Sequence, residues 1–221
     1  MKTIITTIAF LVVTATSFAQ LKGSGKTITK TYDYQNFNKV FLDDLDGKLE
    51  IEVGKPFSIF ITIDDNLLDL LSVVEHSGNK TLTVSLKGNK NNKMYIEDTK
   101  IKVKITMPFI SEVSNNGNSG LTVTNINSKY FKSSNPVNGS TTISGIVDNL
   151  EVSCSGNGVL NAKQLVAKNA KIKATGNGNA YVNVTEEITV KTSGNCTVIN
   201  SGKAKFNSES SSSGNSRFVN N

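Results

Sequence analysis

The segment GSGKT at residues 23–27 is the part of the chain that most resembles a chemical motif, the end of a phosphate-binding loop. The complete motif needs a glycine at position 20, a strand before it and a helix after it, because backbone N–H groups and the helix N-terminus hold the phosphate. Position 20 is Gln20, and a stretch resembling an export signal precedes it. A nucleotide site is therefore not predicted here.

Carboxylates and the lone histidine are the candidates for metal binding or acid–base chemistry. Aspartates cluster at residues 43–46, before Gly47, and at residues 64–65. Neither cluster has the ligand spacing of an EF-hand or of the nonapeptide calcium repeat, so both are interpreted as turns. His76 stands beside Gly78 without a nucleophile elbow, although one sequence leaves a Ser-His-Asp arrangement open. We expect no catalytic residues, no metal site and no cofactor.

Cys154 and Cys196 are the only cysteines, and an exported chain favours a disulfide between them. The repeat described below places them two coils apart, on opposite sides of a corner. Coils spaced by about 4.8 Å hold the two backbones about 9.6 Å apart, beyond the ~7 Å that a disulfide bridges. Both cysteines are therefore predicted to be free, inward-facing and buried.

A Gly-Asn corner that recurs with a period near 20 residues organises the second half of the chain. The last four copies are separated by 20, 18 and 20 residues, which indicates a small unit stacked on itself. The predicted corner glycines are Gly117, Gly139 (in a degraded copy), Gly156, Gly176, Gly194 and Gly214. Stacking would align the asparagines that follow into a hydrogen-bonded ladder. The predicted ladder is Asn157, Asn177, Asn195 and Asn215.

Apolar and polar residues alternate on both sides of each corner, as in β-strands with one buried face. Around Gly176, Ile172 and Ala174 take the inward positions, whereas Lys171 and Lys173 take the outward ones. Repetition in the same phase favours an all-β fold, a β-solenoid in which each strand pairs with its equivalent one coil later. An up-and-down meander of hairpins, with Gly-Asn as tight turns, is the alternative.

The composition of the ends sets the predicted domain limits. A positive start, a short apolar run and small residues at its end predict a signal peptide over residues 1–19. The protein is thus expected to be exported, to the periplasm, the cell surface or the medium, with no transmembrane segment in the mature chain. The polar residues 20–35 are predicted to be a flexible lead-in. The predicted solenoid domain covers residues 36–221, with irregular capping layers over 36–110 and regular coils over 111–221.

The charge distribution excludes one class of partner. The net charge is +6 at pH 7, and +5 without the predicted signal peptide. The lysines are spread through the repeat without clear convergence, and Arg217 is the only arginine. A nucleic-acid footprint would cluster basic residues with aromatics, so nucleic acid is not an expected partner. Weak attraction to anionic glycans or cell surfaces fits this charge.

Several strand segments resemble a known family. They are FNKV from Phe37, LEIEVG from Leu49, LTV from Leu82 and IKVKITMP from Ile101, followed by the serial SGNG corners. Together they resemble the putative auto-transporter adhesin, head GIN domain family of exported bacterial proteins, from about Phe37 to the C-terminus. The resemblance implies a right-handed β-helix-like fold and adhesion at the cell surface. It offers no catalytic residues to carry over.

A regular polar exterior without a catalytic constellation favours an exported, non-enzymatic β-solenoid that contacts surfaces through its strand faces. Surface glycans or envelope proteins are the expected partners, and the sequence does not indicate an oligomeric state. The alternative is a pectin-lyase-like carbohydrate-active enzyme, whose chemistry needs a base and cations that converge on one groove. A structural envelope protein without a partner is the third hypothesis.

Overall fold

The computed structural model describes residues 20–87 and 95–221, so the signal peptide predicted over residues 1–19 lies outside the described residues. The described chain is almost entirely β-structure. Its elements are β1 (Gln20–Lys22), β2 (Thr27–Tyr32), β3 (Lys39–Asp43), β4 (Gly47–Val53), β5 (Ser58–Asp64), a 3-10 helix (Asp65–Leu70), β6 (Leu71–His76), β7 (Thr81–Leu86), β8 (Tyr95–Glu97), β9 (Ile101–Met107), β10 (Glu112–Asn116), β11 (Gly120–Asn135), β12 (Ser140–Cys154), β13 (Val159–Gly176), β14 (Asn179–Gly194), β15 (Thr197–Asn200), β16 (Lys205–Phe206), β17 (Ser211–Gly214) and β18 (Arg217–Asn220).

Parallel strands wind into a β-solenoid of about five turns, as the repeat predicted. Strands β11 to β14 each contribute to two faces, because register shifts interrupt their pairing, once between β11 and β12, once between β12 and β13, and twice between β13 and β14. The first halves of these strands are residues 120–124, 140–143, 159–162 and 179–182, and the second halves are residues 130–135, 149–154, 169–176 and 187–194. Face A is the outer surface of β6, β7, β3, β10, the second halves of β11 to β14, β16 and β17. Face B is the outer surface of β2, β5, β9, β4, the first halves of β11 to β14, β15 and β18.

Strand pairing runs in register from coil to coil. Leu150 pairs with Ala170, and Ala170 pairs with Ile188 one coil later. Ile172 is buried whereas its neighbour Lys171 faces solvent. The hydrogen bonds therefore join successive coils and not the two arms of one corner. The stacked coil is confirmed and the hairpin meander is wrong.

One hydrophobic core runs along the inside of the solenoid, because the inward residues of both faces meet there. Large side chains such as Phe37 and Phe131 fill its earlier layers, whereas Ala174 and Ala180 lie in the later coils. The small side chains in the interior of the later coils fit the short period of ~20 residues, since a coil of that length encloses little volume.

The corner that follows face A requires glycine in four successive coils. Gly156, Gly176, Gly194 and Gly214 have φ values of +76°, +88°, +92° and +70°. A Cβ on Gly176 would lie 2.6 Å from the carbonyl oxygen of Gly156, so the neighbouring coil leaves no room for a side chain. Both the backbone angle and the close approach exclude other residues.

Two of the predicted corner glycines behave differently. The register across β11 and β12 places Gly139 two positions past the corner, which Val137 occupies. A Cβ on Gly158 would lie 2.4 Å from the carbonyl oxygen of Gly139, so Gly139 belongs to a second column of close approach, continued by Gly178. The prediction of Gly139 as a corner glycine is wrong. Gly117 keeps the corner position, but its φ lies outside the left-handed region.

The first layers cap the solenoid with antiparallel strands. Strand β2 pairs with β5, and β6 pairs with β7. Residues 20–35, predicted to be a flexible lead-in, instead contain β1 and β2, so that expectation is wrong. Their polar composition does not indicate a strand, because β2 is an edge strand and most of its side chains face solvent. Across the pair of β2 with β5, the hydroxyls of Thr29 and Thr62 share a hydrogen bond of 2.8 Å. The 3-10 helix adds Leu67 to the core.

Both cysteines are buried and free, as predicted. Burial, with a smaller contribution from nearby Cys196, raises the pKa of the Cys154 thiol to about 12. The Cys196 thiol donates to the carbonyl oxygen of Ala174 at 3.3 Å. Because only the thiolate reacts rapidly, we expect iodoacetamide at about pH 8 to label neither cysteine in the folded protein and both after unfolding. Mass spectrometry checks this result, and rapid native labelling of either thiol would contradict the inward register.

Candidate functional site

The segment that resembles a phosphate loop binds a carboxylate of its own chain. Asp64 is buried and accepts hydrogen bonds from the N–H groups of Gly25 at 2.8 Å and Lys100 at 2.6 Å. The Ser24 hydroxyl donates to Asp65 at 2.6 Å. The N–H of Gly25, which a phosphate would need, is therefore occupied, and residues 64–65 shape a loop.

The other candidates for chemistry are dispersed. Within residues 20–87 and 95–221, no three His, Cys, Asp or Glu side chains come together in a group that could hold a metal ion. His76 lies exposed at the end of β6. Across the same ranges, no helix has the length and apolar character needed to cross a bilayer.

The corner asparagines form a hydrogen-bonded ladder along one edge of the solenoid. Each side-chain nitrogen donates to the Oδ1 atom of the asparagine one coil earlier, at 2.9 Å from Asn177 to Asn157 and at 3.0 Å from Asn195 to Asn177. Asn215 donates to Asn195 at 3.1 Å. The ladder also includes Asn118 and Asn138 in the two preceding coils. These two asparagines were not predicted to belong to it. These side-chain amides therefore form hydrogen bonds that join successive coils to one another.

Face A carries a groove formed by four neighbouring coils. A cavity of about 410 Å³ opens over the second halves of β11 to β14. The polar side chains that line it include Tyr130, Asn149, Glu151, Asn169, Lys171 and Glu187. A second cavity of about 400 Å³ shares Glu151, Lys171 and Thr189 with the first, and adds Lys173, Lys191 and Glu209. The combined surface of the two cavities is the face A groove.

Tyr130 is the aromatic side chain of the face A groove, and 45% of it is exposed. Its hydroxyl donates to the Glu151 carboxylate, one coil away, at 2.7 Å. Partial burial, followed by this hydrogen bond and the charge of Glu151, raises the pKa of Tyr130 to about 12. The phenol therefore stays protonated at physiological pH. The hydrogen bond positions a planar apolar ring beside carboxylate and amide groups.

A column of side chains across face A alternates in charge. The Lys39 and Lys132 ammonium groups lie 3.7 Å and 3.2 Å from the carboxylate of Glu112, which stands between them. The register continues this column through Glu151 to Lys171. Opposite charges on neighbouring strands stabilise a sheet by roughly 0.2–1 kcal/mol per pair.

Beyond Lys171 the alternation ends, since Lys171 pairs with Thr189, and three lysines lie together there. Lys173 pairs directly with Lys191 of the next coil, and Lys171 lies two residues before Lys173 on the same face. Within the part of the chain that the structure describes, none of the three has a carboxylate within ion-pair distance. The expectation that the lysines do not converge is therefore wrong for this group.

Face B offers less to a ligand than face A. Tyr181 is its aromatic residue in the regular coils, and the Lys163 ammonium covers the ring at 4.8 Å from its centre. Nearer the N-terminal cap, the exposed Phe60 stands beside Lys104 over a smaller cavity of about 280 Å³. The face A groove is longer, and its aromatic ring is uncovered.

The sequence repeat does not indicate Tyr130 as a binding residue, because its partners in the next two coils are asparagines. Its equivalents in the later coils are Asn149, Asn169 and Glu187, so the aromatic ring is not repeated among them. The lysine group, in contrast, had a usable signal. Lys173 and Lys191 each stand three residues before a corner glycine, at Gly176 and Gly194.

Comparison with known proteins gave one family and several related folds. The family model of the putative auto-transporter adhesin, head GIN domain matches residues 36–204. A putative adhesin from Bacteroides fragilis is 19% identical with a TM-score of 0.65, covering 90% of this chain and 97% of its own. A putative lipid binding protein from Parabacteroides distasonis is 18% identical with a TM-score of 0.54, covering 91% of this chain and 99% of its own. At these identities the two structures show the fold alone. Curated proteins gave no significant match.

Proposed function

Since the chain belongs to the putative auto-transporter adhesin, head GIN domain family, we propose that it is an exported, non-enzymatic adhesion module that binds surface glycans through the face A groove. The adhesin name of the family supports adhesion and export. The related Bacteroides fragilis structure also carries an adhesin name. The choice of a glycan as ligand and of this groove as its site depends on the side chains themselves.

The observation that carries the proposal is the uncovered ring of Tyr130 in a groove of hydrogen-bonding groups. A sugar ring presents an apolar C–H surface and a rim of hydroxyls. The C–H surface packs against an aromatic ring. The hydroxyls donate hydrogen bonds to carboxylates and both donate to and accept from amides. Glu151, Asn149 and Asn169 supply those groups within one cavity.

The strand framework supports this role by holding the groove rigid. The side chains that line the first cavity project from hydrogen-bonded strands of neighbouring coils, and Tyr130 is further fixed by Glu151. A site arranged before binding loses less conformational entropy when the ligand arrives. The smaller loss of conformational entropy strengthens binding through sugar contacts that are individually weak.

Changing Tyr130 to alanine is expected to weaken glycan binding by about tenfold or more, because the ring is the main apolar contact in the groove. The protein is first screened on a broad glycan array, and the best ligand is then titrated by calorimetry. Tyr181→Ala on face B is the matched control and should keep the original affinity. Changing Tyr130 to phenylalanine should keep most of the binding, since the ring remains.

Absence of binding to every glycan on the array, or equal losses in the Tyr130 and Tyr181 variants, would contradict the proposal. The polysaccharides recovered after incubation should be intact. Release of unsaturated or reducing sugar ends would instead favour the pectin-lyase-like alternative.

A further inference from the structure

We infer that the face A groove selects acidic glycans, with a carboxylate of the sugar bound by Lys171, Lys173 and Lys191. These three side chains are called the lysine cluster. The inference rests on the proposed function and adds the chemical class of the ligand to it. A sulfate group on the sugar would meet the same chemistry.

The geometry of the lysine cluster suits one anionic group. Lys173 and Lys191 are direct register partners, so their backbones are about 4.8 Å apart, and Lys171 lies about 6.6–6.8 Å from Lys173 along the strand. All three side chains are exposed on the same face. Lysine ammonium groups are compact charges on flexible stems, so three of them can reach a single carboxylate.

The lysine cluster differs from two lysines on neighbouring parts of the described coils. Lys168 lies 2.7 Å from Asp148, and Lys132 lies 3.2 Å from Glu112, so the charges of these two lysines are balanced within the fold. Like charges directly opposite on adjacent strands destabilise a sheet. Lys173 opposite Lys191 therefore weakens the fold slightly, and a bound anion would supply the missing negative charge.

The lysine cluster is continuous with the aromatic part of the groove. Lys171 lines both cavities, whereas Tyr130 lines the first and Lys191 the second. The first cavity also holds the carboxylates of Glu151 and Glu187, which accept hydrogen bonds from sugar hydroxyls but repel acid groups. An acidic glycan is thereby oriented, with a neutral ring at Tyr130 and its charged sugar at the lysine cluster.

A glycan fits this surface better than an anionic membrane. Membrane attachment through charge uses a broad surface of basic residues, each contributing about 1 kcal/mol near the lipid headgroups. The lysine cluster is small, and Glu151 and Glu209 stand beside it in the same cavity. A flat bilayer would meet those carboxylates, whereas a narrow chain of sugars passes between them.

Titration of oligogalacturonate, with a neutral galactan oligosaccharide of similar length as the reference, tests the inference in the full protein. We expect the acidic ligand to bind at least about tenfold more tightly, and added salt to reduce that difference. The double variant Lys173→Gln and Lys191→Gln should lose the preference while it still binds the neutral ligand through Tyr130. The matched control, Lys102→Gln and Lys104→Gln on face B, removes the same charge and should keep the preference.

Thermal unfolding followed by circular dichroism confirms that each variant is folded before titration. Equal affinity for the acidic and the neutral ligand in the original protein would overturn the inference and leave the proposed function standing. Equal losses in the two double variants would also overturn it, because only net charge would matter. Equally tight binding of phosphatidylglycerol vesicles or of sulfate alone would overturn the glycan assignment. Failure to bind either oligosaccharide would count against the proposed function itself.

Discussion

Replacing Gly176 by alanine is expected to lower the free energy of unfolding by about 2–5 kcal/mol. Its φ of +88° costs an alanine roughly 1–2 kcal/mol. The new Cβ would also lie 2.6 Å from the carbonyl oxygen of Gly156, and forcing atoms into a packed site adds about 1–3 kcal/mol. Urea unfolding followed by circular dichroism measures the loss.

Gly54 provides the matched control for this prediction. It has the same φ of +88°, but an added Cβ would have no atom within 4 Å. Gly54→Ala should therefore show the backbone cost alone, roughly 1–2 kcal/mol. The excess loss in Gly176→Ala isolates the close approach of stacked coils. If both variants lost the same stability, the corners would not be in contact and the stacking would be wrong.

Replacing Leu160 by aspartate is expected to destabilise the protein by at least about 5 kcal/mol. Leu160 is fully buried in the first half of β13. Truncating a buried leucine costs about 2–5 kcal/mol, and an unpaired buried charge adds several more. Because each coil depends on its neighbours, the coils from β13 onward should unravel together. Limited proteolysis and circular dichroism measure this loss.

The next residue gives the control. Asn161 is exposed, and its Oδ1 accepts a hydrogen bond from the Lys163 N–H at 3.3 Å. An aspartate at position 161 keeps that acceptor, so Asn161→Asp should change stability by less than about 0.5 kcal/mol. A folded Leu160→Asp protein with resistance to protease equal to that of Asn161→Asp would mean that the inward and outward positions have been exchanged.

The architecture was predictable because two independent signals agree in phase. The alternation of Ile172 with Lys171 and Lys173 gives the buried face, and the recurring glycine gives the coil length. Neither signal depends on tertiary contacts beyond the adjacent coil. The same locality explains why the predicted burial of Cys154 and Cys196 is confirmed.

The errors occurred where the repeat is imperfect or absent. Asn138-Gly139 has the composition of a corner, but Val137 takes the corner position, and only the register across β11 and β12 distinguishes the two. Strand β2 has few apolar residues because it is an edge strand, so its pairing with β5 leaves little trace in composition.

The groove depends on side chains that come from different coils, which explains why its residues were hard to find. The contact of Tyr130 with Glu151 joins residues 21 apart, and the pairing of Lys173 with Lys191 follows the single 18-residue repeat. Aligning the repeats on their corner glycines would have revealed the lysine pair. No alignment of repeats reveals Tyr130, because its column continues through Asn149, Asn169 and Glu187 without another aromatic residue.

Hydrogen–deuterium exchange, measured by mass spectrometry with and without the best acidic glycan, tests the binding site most directly. We predict slower exchange on face A, in peptides that cover residues 130–134, 149–153, 169–173 and 187–191, because a ligand in the groove restrains these strands. Exchange on face B, at residues 120–124 and 140–143, should not change. Protection confined to face B or to the Gly-Asn corners would contradict the account.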